Sequence, residues 1–61
     1  MEQPPSDDVP SRWAVIAIDW SAPNVLEWWA KEEDAKRSAE GFDALALRAV
    51  AVPEGHPWIR L

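Results

Sequence analysis

A chain of 61 residues with a formal net charge of −5, no cysteine and one histidine has room for a single small domain held by apolar packing alone, because neither a disulfide nor a cysteine–histidine zinc site is open to it. The acidity repels phosphate, which argues against direct nucleic-acid binding and against an anionic membrane surface, and favours a basic protein partner or solubility alone. No apolar run approaches the ~20 residues that span a bilayer.

Residues 1–11 contain three of the six prolines and three acids. Such a segment buries too little to order itself, so a flexible acidic tail is expected ahead of one domain at 12–61. The start has no basic stretch and no apolar run, unlike a secretory signal, and with the missing cysteines this points to the cytoplasm.

Residues 12–20, RWAVIAIDW, predict a strand. Val15, Ile16 and Ile18 are β-branched, and tryptophans suit a pleated surface. Trp13, Val15 and Ala17 fall on one face, and Ala14, Ile16, Ile18 and Trp20 on the other. Apolar residues on both faces predict a central strand. The SAPN segment, Ser21 to Asn24, permits a tight reversal. Val25–Ala30 is then a return strand, with Leu26, Trp28 and Ala30 on one face. In the rival reading Asn24 caps a helix with Glu27 as its capping-box partner, and one long helix runs from 25 to 40 in a parallel β-α-β unit.

Charge order favours the hairpin. Glu32, Glu33 and Asp34 suit the positive end of a helix dipole, and Lys36 and Arg37 follow four residues after Glu32 and Glu33. A helix over about 31–40 is predicted, with Ala35, Ala39 and Phe42 as its inner stripe and Gly41 as its stop. Ala30 is a poor cap for it. Residues 44–52, ALALRAVAV, predict a third strand and PEGHP a turn. The closing WIRL either adds a short edge strand or packs Trp58 and Ile59. The expected fold is therefore α+β: a twisted antiparallel sheet of three or four strands with one helix on a face.

Catalytic machinery is not evident. His56 sits between glycine and proline in a turn, and no serine lies in a nucleophile-elbow pattern. The two glycines are too few for a phosphate-cradling loop. Glu32 and Glu33 point about 100° apart on a helix. Asp19 and Glu27 face each other only if the hairpin aligns them. No metal and no cofactor are expected, and enzyme is the least favoured class.

The five tryptophans are the unusual feature. Trp13 and Trp28 are expected in the core, since each ring contributes roughly 150–250 Å². Trp28 and Trp29 point to opposite faces of any strand, so one ring is left for a partner. The expected contact surface is Trp29 with Glu27, Glu32, Glu33, Asp34 and Glu40, an aromatic centre with a charged rim.

Spaced carboxylates imitate a run of phosphates, so the first expected function is a protein-binding inhibitor that presents them to a basic protein or nucleoprotein complex. In size, charge and lack of chemistry the chain resembles phage-borne inhibitors of bacterial defence, including some anti-CRISPR proteins. That resemblance covers general properties and no motif, so no residue roles carry over. The second expectation is an accessory module that forms a homodimer through its Trp surface or a sheet edge.

Overall fold

The computed structural model describes residues 11–61. The tail expected over 1–11 thus lies outside the described residues except for Ser11. Strands β1 (Trp13–Ala17) and β2 (Val25–Trp29) form an antiparallel hairpin, helix α1 (Glu32–Ala44) follows, and β3 (Ala49–Pro53) returns beside β1. The sheet order is β2-β1-β3 and both pairings are antiparallel. This is the expected small α+β fold, with β1 in the centre. The single helix over 25–40 does not form, because residues 25–29 pair with β1.

The core lies on both sides of β1, whose residues Ala14 to Ala17 are all buried. Under the helix, Val15, Ala35, Ala39 and Ala49 pack together with Trp13, Leu26, Phe42 and Ala51 against them. Behind the sheet, Ala14, Ile16 and Val52 pack with Val25, Trp28, Val50 and Ile59. The inner stripe Ala35, Ala39 and Phe42 is thus placed as its spacing demands, and Trp13 and Trp28 serve opposite layers.

Several boundaries and one side-chain face depart from the sequence expectation. Strand β1 ends at Ala17, and Ile18 and Asp19 form a turn. Leu26 does not share a face with Trp28. A bulge falls between the Val15↔Glu27 and Ile16↔Val25 pairs. The extra residue, Leu26, turns toward the helix while Val25 and Trp28 join the rear cluster. The helix starts after Lys31, which makes no side-chain cap bond. It also runs through Gly41, where a stop was expected, because ending there would leave Phe42 outside the core. Finally, residue 44 is helical and β3 begins only at Ala49. No fourth strand forms among the described residues.

The helix instead stops at Leu45 and Ala46, where Ala46 has φ 65°. The Leu45 N–H and Leu47 N–H both donate to Phe42 O, at 2.9 and 3.1 Å, and the Ala46 N–H donates to Asp43 O at 2.9 Å. A left-handed alanine costs about 1–2 kcal/mol, while glycine costs nothing there but frees the unfolded chain. Ala46→Gly should raise unfolding free energy by about 0.5–1 kcal/mol in urea denaturation. A loss of stability would mean that the turn does not hold this conformation in solution.

Both sheet edges are blunted. The bonds Ile18 N–H to Arg48 O (2.9 Å) and Glu54 N–H to Arg12 O (3.0 Å) set the ladder alternation, so Ala49, Ala51 and Pro53 direct their backbone outward. Asp43 Oδ1 takes the Ala49 N–H at 3.1 Å, and proline has none to offer. Only Ala51 presents an outward donor in β3. The bulge at Leu26 interrupts the other edge, and the Asn24 N–H just before β2 is held by Arg60 O at 3.3 Å. These are devices that discourage strand pairing between molecules.

Candidate interaction surfaces

The six residues expected to form one contact surface divide into two groups. Glu27 lies on the helix side of the sheet, where its Oε1 accepts from the Ser38 hydroxyl and from Trp29 Nε1, the latter at 2.9 Å. Trp29 is 37% exposed. Together with Asp34, Arg37 and Ser38 these two line a shallow groove between β2 and α1. The groove continues past Gly41 and Phe42 to the exposed Leu45. Glu27, Trp29 and Asp34 are therefore brought together.

Glu32, Glu33 and Glu40 are not. At 100° per residue they stand roughly 160°, 100° and 120° around the helix from Asp34. Glu32 is held by Lys36 at 2.8 Å, an exposed pair of the kind worth about 0.3–0.5 kcal/mol. The second expected pair, Glu33 with Arg37, does not form an ion pair. Lys31, Lys36 and Arg37 also interleave with the carboxylates. Residues 11–61 carry eight acids and six bases, and the remaining three acids lie in residues 1–10. Nor do Asp19 and Glu27 face each other, since Glu27 pairs with Val15 and Asp19 lies in the turn beyond β1.

A second apolar surface lies on the opposite side. Among the described residues no helix covers the rear of the sheet, and only the closing segment crosses it. Asn24, 1% exposed, fastens that segment: its Nδ2 donates to Trp58 O and its Oδ1 accepts the Arg60 N–H, each at 2.8 Å. Ile59 then packs on the rear cluster. Beside this clasp lies a cleft of about 220 Å³ lined by Ile16, Ile18, Asn24, Trp58 and Arg60. Ile18, Trp20 and Trp58 are 38%, 46% and 55% exposed. The Arg60 guanidinium sits at the rim, where its Nη1 donates to Trp20 O at 3.0 Å.

Two other groups have local partners. His56 Nδ1 accepts the Trp58 N–H at 3.0 Å and its ring meets the Trp58 ring edge-on at 5.2 Å, so it shapes the turn that delivers Trp58. Arg12 stacks 3.8 Å over Trp28 and pairs with Glu54 at 3.1 Å. Hydrogen bonds from Ser11, then from Arg12, hold the Glu54 carboxyl below its ordinary range.

The chain matches no protein-family model, no characterised protein and no solved structure. Among the described residues no helix is long and apolar enough to cross a membrane. Sequence reasoning missed the rear surface. Its one legible signal was Ile18 and Trp20 continuing the apolar face of β1. The contribution of Trp58 and Arg60 depends on a clasp 34 and 36 positions away in the chain.

Proposed function

We propose that this chain is a small non-enzymatic protein-binding module that acts by occupying a partner's surface. The observation that carries this reading is the rear of the sheet, where among the described residues Ile18 and Trp58 flank a cleft and stay exposed in a domain too small to spare apolar area. A tryptophan beside an apolar cleft is the composition of an interface centre. The blunted edges favour this Trp surface over a sheet edge as the docking region. The reading takes the chain as cytoplasmic on its cysteine-free composition.

A second reading is favoured by the groove that unites Glu27, Trp29 and Asp34 with the acidic first turn of α1. In it, the carboxylates enter a basic groove of a nucleic-acid-binding complex, as in an anti-CRISPR-like inhibitor.

Two variants separate the readings. The first is Ile18→Ser with Trp58→Ser, and the second is Glu32→Gln with Glu33→Gln and Asp34→Asn. The tagged chain is used to capture partners from bacterial lysate at low and high salt, and its own mass is followed against concentration. Under the first reading the Ile18/Trp58 variant weakens capture by about tenfold or more, the transfer cost of the two side chains, and the acid variant does not. Loss in the acid variant and at high salt supports the mimic instead. Concentration-dependent mass that vanishes in the Ile18/Trp58 variant identifies the partner as a second copy. Capture unaffected by either variant overturns both readings.

A further inference from the structure

The rear surface is not electrically neutral, although the chain as a whole is acidic. Arg60 lines the cleft itself. Arg48 follows by alternation from Val50, on the same face, where the Ile18 N–H reaches its carbonyl at 2.9 Å. Arg12 caps the same face over Trp28. Arg12 is neutralised by Glu54, but among the described residues neither Arg48 nor Arg60 forms an ion pair. The carboxylates of the helix, by contrast, lie in the other layer. Even with Asp19 in the turn between Ile18 and Trp20, and with Lys31, Lys36 and Arg37 offsetting part of the acids of the helix side, the positive charge of the described residues is weighted to the rear and the negative charge to the helix layer.

The cleft size narrows the occupant. At about 220 Å³ it is smaller than the roughly 300–1,000 Å³ of small-molecule sites. It has room for one large apolar side chain. Asn24 offers an occupant little, because it is 1% exposed and both ends of its amide already hold a partner. The remaining recognition element is the Arg60 guanidinium. It spends one N–H on Trp20 O and has four others in a fork that matches a carboxylate.

Resting on the protein-binding reading above, we propose that the rear cleft takes an extended acidic segment of a partner protein. One large aliphatic side chain of that segment lies between Ile18 and Trp58. A flanking Asp or Glu carboxylate accepts hydrogen bonds from Arg60, and a further acid meets Arg48. A single-stranded nucleic acid offers the same negative charge with bases for the tryptophans, but it sets a phosphate at every nucleotide against a chain of net charge −5, whereas the peptide needs only the two carboxylates that Arg60 and Arg48 meet.

The test uses the full chain labelled with ¹⁵N and four probes: the blocked peptides Asp-Asp-Leu-Asp-Asp, Lys-Lys-Leu-Lys-Lys and Asp-Asp-Ala-Asp-Asp, and an eight-nucleotide oligothymidylate. The acidic leucine peptide should shift the Trp58 indole N–H and the amides of Ile18 and Arg60. It should bind about two- to fivefold more tightly than the lysine peptide, the range that exposed ion pairs supply. It should also exceed the alanine peptide by about tenfold, as the lost side chain dictates. Arg60→Gln should erase the preference for acid over lysine while leaving the preference for leucine over alanine. Equal binding of the acidic and lysine peptides at these residues overturns the acidic partner and leaves the docking surface standing. Shifts from oligothymidylate alone overturn it in favour of nucleic acid. If no probe moves Ile18, Trp58 or Arg60, the cleft is not a peptide site, whichever variant governs capture from lysate.

Discussion

Replacing Asn24 by alanine should lower the unfolding free energy by about 2–4 kcal/mol, one of the largest effects of any single change in this chain. The residue is 1% exposed and its side chain ties the start of β2 to the closing segment. Its amide donates to Trp58 O and accepts the Arg60 N–H, each at 2.8 Å. Its own backbone donates to Arg60 O at 3.3 Å and accepts from Ala17 N–H at 2.7 Å. Alanine keeps the two backbone bonds and deletes the two side-chain bonds. The Trp58 carbonyl and Arg60 N–H then lose their partners, and each such orphan costs about 1–3 kcal/mol where water does not reach it. Against a total stability of about 3–9 kcal/mol for a domain of this length, that loss brings the chain close to its unfolding threshold. Urea denaturation followed by tryptophan fluorescence reads the effect. Asn24→Asp is the companion test: it retains the acceptor for Arg60 but sets a buried carboxylate against the Trp58 carbonyl, so at neutral pH it should cost at least as much as alanine. A drop below about 1 kcal/mol for alanine would mean that the closing segment is held by Ile59 and not by Asn24.

The residue also shows where sequence reading stops. Asn24 follows a proline in a turn, and local logic makes it a turn residue or a helix cap. Its real partners are 34 and 36 positions away, and no periodicity points to them. The elements with strong local signals behaved differently. The β-branched run of β1, apolar on both faces, marked a central strand. The order of acids before bases marked the start of α1, and the spacing of Ala35, Ala39 and Phe42 marked its buried stripe. What local signals missed was settled by packing. The helix runs through Gly41 because Phe42 has a core to reach. Leu26 changes face because a bulge adds one residue, and a period of two cannot show an inserted residue. The acidic surface was legible as composition but not as geometry. A block of three acids at consecutive positions is distributed around a helix by its 3.6-residue turn, so only Asp34 joins Glu27 and Trp29. Trp28 and Trp29 do point to opposite faces, as adjacent residues on a strand must: Trp28 packs on the rear cluster, and Trp29 lies on the helix side, 37% exposed.

Enlarging Ala35 to leucine should destabilise the fold by about 1–3 kcal/mol even though it adds apolar surface. Between α1 and the sheet the buried layer is Ala35, Ala39, Ala49 and Val15. Three of these four side chains are a single methyl group, so helix and sheet approach closely, and Ala35 is fully buried. Three added carbons have no space unless the helix lifts. Lifting it would part Phe42 and Leu26 from the same layer, which costs more than the leucine returns. Lys36→Leu, one position along and exposed, tests helix propensity and added hydrophobicity without the clash. It should stay within about 0.5 kcal/mol of the parent, allowing for the Glu32 pair it removes. If Ala35→Leu were neutral or stabilising, the alanine layer would be loosely packed and the close approach wrong. The same variant bears on function. A lifted helix deforms the groove of Glu27, Trp29 and Asp34, which α1 and β2 build jointly, but leaves the rear cleft, which contains no helix residue. Under conditions where Ala35→Leu remains folded, binding through the rear surface should therefore survive the substitution, whereas binding through the acidic groove should weaken with the fold.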